Sequence, residues 1–141
     1  MMNVETAAPV HLTPEFIAKT ENEVTPHWGE LGWVTYKRTY ARWLPEQGRN
    51  EEWPETVQRV VEGNINLDPR LQADTVDPQV IDDLTQEAQN LFKLIYGLAA
   101  TPSGRNLWIS GTEYHHRNGD SLNNCWFIAV LPQAYWDSHI I

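Results

Sequence analysis

The chain has 141 residues, a formal net charge of −9, and 41% hydrophobic against 21% charged residues, proportions that fit one globular domain. The acidic balance argues against a protein that grips a phosphate backbone, which needs a dense surplus of Lys and Arg. No apolar run approaches the roughly 20 residues that span a bilayer, and residues 1–12 lack the basic start and apolar stretch of a secretory signal, so a cytoplasmic protein with neither nucleic acid nor membrane as partner is expected.

In chain order, Thr13-Pro14-Glu15 supplies an N-cap, a proline at the first helical position and an acid in the first turn, which predicts a short helix stopped by Pro26. Trp28-Gly29-Glu30-Leu31-Gly32-Trp33 reads as a turn carrying two packed aromatics. Residues 34–44 are expected to form a helix burying Val34, Tyr40, Trp43 and Leu44, broken by Pro45 and Gly48. Lys37, Arg38, Arg42 and Arg49 make a local basic stretch. Such a stretch can attract nucleotide phosphates even on an acidic protein, or it can be a solvated helix face.

A clearer helix follows. Asn50 is the expected cap, Glu51 and Glu52 suit the positive end of the helix dipole, and Gly63 is the expected C-cap. Trp53, Val57, Val60 and Val61 recur at the spacing of one buried face. After a loop with Asn64, Asn66, Asp68 and Pro69, the longest helix starts at Asp77-Pro78. Its stripe of Val80, Ile81, Leu84, Ala88, Leu91, Phe92, Leu94, Ile95 and Leu98 is wide enough to meet more than one neighbour.

From Thr101 the character changes. Pro102, Ser103 and Gly104 make a turn, Leu107-Trp108-Ile109 is a short apolar run, and residues 113–124 read as a polar loop. Residues 125–131, Cys125-Trp126-Phe127-Ile128-Ala129-Val130-Leu131, are almost continuously apolar and fit a strand covered on both faces. One strand cannot make a sheet, and only residues 107–109 offer a second. The expectation is therefore the start of a larger α/β domain.

Familiar chemical signatures are absent: no C-x-x-C, H-E-x-x-H, G-x-x-x-x-G-K-[ST] or G-x-G-x-x-G pattern occurs. Cys125 is the sole cysteine, so an internal disulfide is impossible. The rings of adjacent His115 and His116 point in different directions on a helix or a strand, and no metal site is expected.

The segment Thr101-Pro102-Ser103-Gly104-Arg105-Asn106-Leu107-Trp108-Ile109-Ser110-Gly111-Thr112-Glu113-Tyr114, followed by Gly119-Asp120-Ser121-Leu122-Asn123-Asn124-Cys125-Trp126-Phe127, resembles the monomeric, adenosylcobalamin-dependent ribonucleoside-triphosphate reductases. The stretches from Pro26-His27-Trp28-Gly29 to Trp43-Leu44-Pro45, and from Val60 to Arg70, are similar to the same enzymes. The first dozen residues and the linker near residues 73–77 stay unassigned. The resemblance implies a mainly helical N-terminal region, residues 1–100, followed at 101–141 by the first strand or strands of a ten-stranded α/β barrel that this chain does not complete.

It also implies roles. Cys125 would be one of two cysteines that deliver reducing electrons, and Thr101 and Asn124 would lie near the substrate phosphates or ribose. Read without the family, Thr101 ends a helix, Asn124 satisfies its own loop and Cys125 is an inert buried thiol. A third cysteine, made a thiyl radical through the adenosylcobalamin cofactor, and the partner of Cys125 are both missing from this chain. The implied partners are the remainder of the reductase, a ribonucleoside triphosphate, and thioredoxin as reductant; no turnover is expected from the chain alone. The competing expectation is a stand-alone helical binding or regulatory module derived from the same region.

Overall fold

The computed structural model describes residues 9–73 and 75–117, together with Leu122. The strand expected at 125–131 lies outside the described residues, and so do Asn124 and Cys125. What is described is mainly helical, with one small hairpin.

Helix α1, Pro14–Glu23, begins as its sequence predicts: the Thr13 hydroxyl accepts from the Phe16 N–H at 3.2 Å. It ends before Pro26, with the Val24 N–H bonded to the Thr20 carbonyl. Helix α4, Pro78–Tyr96, is capped by Asp77, whose carboxylate accepts from the Gln79 N–H at 2.9 Å. Leu84, Ala88, Phe92 and Ile95 form its buried face, whereas Leu94 is exposed.

Helix α3, Trp53–Ile65, lies against α4. Its Trp53, Val57, Val60 and Val61 are buried as the periodicity requires. Burial of each such side chain stabilises the fold by about 1.5–3 kcal/mol. The Trp53 indole N–H donates to the Tyr96 carbonyl at 2.9 Å, tying the start of α3 to the end of α4. Two details of α3 differ from expectation. Its N-cap is Glu52, with the Glu55 carboxylate accepting from the Glu52 N–H at 2.7 Å; Asn50 belongs to a strand. Gly63 lies inside the helix, which runs on to Asn66 as C-cap.

The region 34–44 departs most from its reading. Helix α2 covers Gly32–Thr39 only, and Trp43–Leu44 (β1) pairs antiparallel with Arg49–Asn50 (β2). Pro45 and Gly48 thus close a hairpin, Gly48 taking φ +64° and donating to the Leu44 carbonyl. Tyr36 is the residue α2 buries; Val34 and Trp43 are exposed, and Tyr40 and Leu44 are half-buried. The expected pair of aromatics in the preceding turn divides likewise. Trp28 stacks on Tyr36 at 5.6 Å and meets Trp53 edge-on at 5.0 Å, while Trp33 stays on the rim beneath the Lys37 ammonium.

Residues 107–109 are not a strand. They belong to α5, Gly104–Ile109, whose N-cap Ser103 accepts from the Asn106 N–H at 3.3 Å. A further short helix, α6, Glu113–Arg117, occupies part of the expected polar loop. The N-terminal strap also proves structured from residue 9: Val10 and Leu12 are fully buried. Asn66 both donates to and accepts from the Val10 backbone, at 2.8 and 3.0 Å, as a neighbouring strand would.

Candidate functional site

Thr101 is the one expected site residue that the structure describes. Helix α4 stops at Gly97, Leu98 takes φ 61°, and the N–H groups of Ala99 and Ala100 fold back onto the Leu94 carbonyl. This turn leaves Thr101 exposed beside α5. It lines a cavity of about 510 Å³ with Trp28, Tyr36, Trp53 and Pro102. A second cavity, about 810 Å³, lies on the other side of Tyr40 and Gly104, between Arg42, Trp108, Ile109 and Tyr114. A Cβ on Gly104 would stand 2.5 Å from the Tyr40 hydroxyl, so a side chain there would have to displace the Tyr40 ring.

Beneath these cavities is a buried charge cluster that motif reading missed. Arg59 makes a two-pronged contact with Glu51, Nε to Oε1 at 2.6 Å and the Nη2 nitrogen to Oε2 at 2.9 Å. The same guanidinium donates to the carbonyls of Leu107, at 3.0 Å, and Ser110, at 2.5 Å. Arg42 donates to the Trp108 carbonyl at 2.8 Å, and its own N–H reaches Glu51. Two arginines therefore satisfy the carbonyls at the end of α5, which have no partner further along a helix.

Electrostatics keep the cluster ionised. Burial alone would raise the Glu51 carboxyl, but the hydrogen bonds and charge of Arg59 reverse this and hold it below the usual range. Burial, with the charge of Arg59, lowers Arg42. Tyr36, which hydrogen-bonds Thr56 and the Glu51 carbonyl, is pushed up to about 12 by burial and so stays a neutral donor.

The turn after α5 is held as tightly. Gly111 has φ +71°, and a Cβ on it would stand 2.3 Å from the Arg59 carbonyl oxygen. A Cβ on Gly63 would stand 2.3 Å from Gly111 itself, so two glycines let this turn lie on α3. The Gly111 N–H donates to Nδ1 of buried His115 at 3.1 Å, and burial lowers the His115 pKa, favouring the neutral ring that can accept. His116, its neighbour, is exposed.

Within the basic stretch, Lys37 and Arg49 pair with acids from further along the chain, while the Arg42 guanidinium binds the Trp108 carbonyl. Lys37 meets Glu52 at 2.8 Å and Arg49 meets Glu55 at 2.7 Å. Those two pairs make a solvated, ion-paired face. Among the described residues no group of three or more His, Cys, Asp or Glu side chains is placed to hold a metal ion, and no helix is long and apolar enough to cross a membrane.

The turn bearing Thr101 leads into α5, whose far end Arg42 and Arg59 clamp through the carbonyls of Leu107, Trp108 and Ser110. Comparison with known proteins gives that framework a family: residues 12–112 match the ribonucleotide reductase alpha domain. The chain belongs to that family. It is 84% identical over 140 residues to the adenosylcobalamin-dependent ribonucleoside-triphosphate reductase of Levilactobacillus brevis, a match over 99% of this chain and 19% of that protein. The reductase of the same name from Lacticaseibacillus paracasei is 70% identical over 133 residues, 94% of this chain and 18% of the relative. The chain thus spans about a fifth of the length of the curated relatives it matches. Its fold is similar to a crystal structure of a B12-dependent, class II ribonucleotide reductase, with a TM-score of 0.81 and 68% identity over 88% of this chain and 17% of that one.

Those relatives' names state a dependence on adenosylcobalamin. The described residues of this reductase domain do not fit a corrin. The larger cavity is lined by two tyrosines, a tryptophan, an isoleucine, two threonines and the arginines Arg42 and Arg105, with no histidine or carboxylate among them.

Proposed function

We propose that this chain is the N-terminal part of an adenosylcobalamin-dependent ribonucleoside-triphosphate reductase, with residues 1–100 as the helical region and 101–141 opening the α/β barrel. The observation that carries the reading is identity sustained over nearly the whole chain to reductases of that name. The turn before Thr101, closed by the Ala99 and Ala100 N–H groups on the Leu94 carbonyl, supports it, since a substrate-contacting residue needs a fixed backbone.

In this reading the chain contributes the first of two reducing thiols. Replacing the ribose 2′-hydroxyl by hydrogen releases water and consumes two electrons and two protons. Cys125 and a cysteine outside this chain supply both as they become a disulfide, which thioredoxin then reduces. Thr101 and Asn124 hold the triphosphate substrate. Thiyl-radical initiation, with the adenosylcobalamin that supplies it, belongs to the remainder of the enzyme, and the compartment is the cytoplasm.

Grafting residues 1–141 in place of the matching segment of the Levilactobacillus brevis reductase tests this directly. The graft should form deoxyribonucleoside triphosphates at a rate near the parent's, and the isolated chain should form none. Turnover by the isolated chain, or a well-folded graft with no turnover, would overturn the reading. A stand-alone helical binding module is the second reading. It is favoured by a core in which residues from the strap, α1, α3 and α4 already bury one another, and an inactive graft would select it.

A further inference from the structure

Arg42 and Arg59 share one carboxylate, Glu51, and both of its oxygens are committed. They accept from the Arg59 guanidinium, the Thr56 hydroxyl and the Arg42 backbone N–H. The Arg42 guanidinium itself makes one contact, Nη1 to the Trp108 carbonyl at 2.8 Å, and forms no ion pair among the described residues. A guanidinium carries five N–H donors, so most of them stay available where Arg42 lines the cavity of about 810 Å³. Burial and then the charge of Arg59 weigh against the Arg42 cation, and Glu51 offsets them only in part. An anion in the cavity would supply the missing charge, because a partly buried cation gains most from a hydrogen-bonded counter-ion.

The rest of the lining narrows the ligand. Arg105 adds a second positive charge, and the exposed Thr39 hydroxyl has no acceptor among the described residues. Thr112 lines the cavity too, but its hydroxyl donates to the Ile109 carbonyl at 2.6 Å and so holds the turn. Aromatic surface comes from Tyr40, Trp108 and Tyr114, the last two 55% and 53% exposed. The volume falls among those of small organic ligands, roughly 300–1,000 Å³, and exceeds what a bare inorganic ion fills. We propose that this cavity binds an aromatic phosphate monoester, with the phosphate on Arg42 and Thr39 and the ring against Trp108 and Tyr114. A phosphate accepts from the paired donors of a guanidinium and from a hydroxyl together, and a flat ring gains from stacking on exposed aromatic faces. Tyr40 and Gly104 divide this cavity from the one that Thr101 lines, so the site does not depend on the role proposed for Thr101. The small cleft beside Glu55, Glu62 and His116 offers no such charge, because the Arg59 on its wall is neutralised by Glu51.

Titrating the full 141-residue chain with phenyl phosphate, inorganic phosphate and phenol, followed by NMR, tests the site. Phenyl phosphate should shift the Trp108 indole and the Thr39, Arg42 and Tyr114 amides to saturation, and bind more tightly than either fragment. Arg42→Gln, which keeps a donor for the Trp108 carbonyl, should weaken it about tenfold, the worth of one hydrogen bond to a charged group, with α3 and α4 signals in place. Trp108→Leu, a change at an exposed ring, should weaken phenyl phosphate about threefold and leave inorganic phosphate as it was. Phenol binding as tightly as phenyl phosphate would make the cavity a purely apolar one, and inorganic phosphate binding as tightly would make it a bare anion contact; either overturns the proposal. So would shifts centred away from the cavity, or full affinity in Arg42→Gln. In the Levilactobacillus brevis graft, equilibrium dialysis should show less phenyl phosphate bound after Arg42→Gln. No difference there would mean that the remainder of the reductase covers the cavity, and it would overturn the site as well.

Discussion

Arg59 and Glu51 are 14% and 5% exposed at their side chains, and neither charge is tolerable there without the other. Removing one partner of such a pair costs about 3–5 kcal/mol, because the remaining ion stays buried and unpaired. Arg59→Met should therefore lower unfolding stability by that order in urea titration, and Glu51→Gln/Arg59→Met should recover part of it. The pH dependence has a defined sign. The folded Glu51 carboxyl lies below its unfolded value of about 4.3, so the unfolded chain binds the extra proton first. Its stabilisation is full above that pH and is lost as pH falls through the folded value; urea midpoints between pH 6 and 3 should decline less steeply for Glu51→Gln. None of this was legible in the sequence. The clamp's targets are backbone carbonyls 48 and 51 residues further on, and a carbonyl has no residue type to recognise. The role proposed for Thr101 rests only on the family resemblance, since a threonine before a proline is otherwise a turn.

Helices α1, α3 and α4 could be read because local chemistry and burial agree: a cap or acid at the start, a proline in the first turn, a 3.6-residue apolar stripe. Asp77→Ala should accordingly cost about 1 kcal/mol, the usual value of an N-cap, measurable as a shift in the thermal midpoint. Elements of two or six residues escaped the same method. The β1–β2 hairpin is fixed by its turn and by the Glu51 N–H bonding the Arg42 carbonyl at 2.7 Å, and an apolar triplet such as Leu107-Trp108-Ile109 fits a strand or a helix equally well. The seat of the α5–α6 turn on α3 depends on Gly63 and Gly111. Gly111→Ala meets both a positive φ, worth about 1–2 kcal/mol, and the Arg59 carbonyl. Gly63→Ala meets only the backbone of Gly111. Both should destabilise the chain in denaturant titration, Gly111→Ala the more, whereas Gly29→Ala, with nothing within 4 Å of its Cβ, should be close to neutral.

At the scale of the whole molecule, the family was visible in long uninterrupted stretches of sequence, and the described fold agrees with the helical part of that expectation. The strand expected at residues 125–131 lies outside the described residues. What the described part supplies is a rigid approach: α3 and α4 form the base, the arginine clamp fixes α5, and two glycines press the following turn onto α3. In the proposed function this framework precedes the Cys125 thiol. The most direct measurement is multiple-turnover reduction of ribonucleoside triphosphates by the grafted Levilactobacillus brevis enzyme, with and without Cys125→Ser. The account predicts sustained turnover with Cys125, and none, or at most a trace of product, with Cys125→Ser. Equal sustained turnover in both would contradict it.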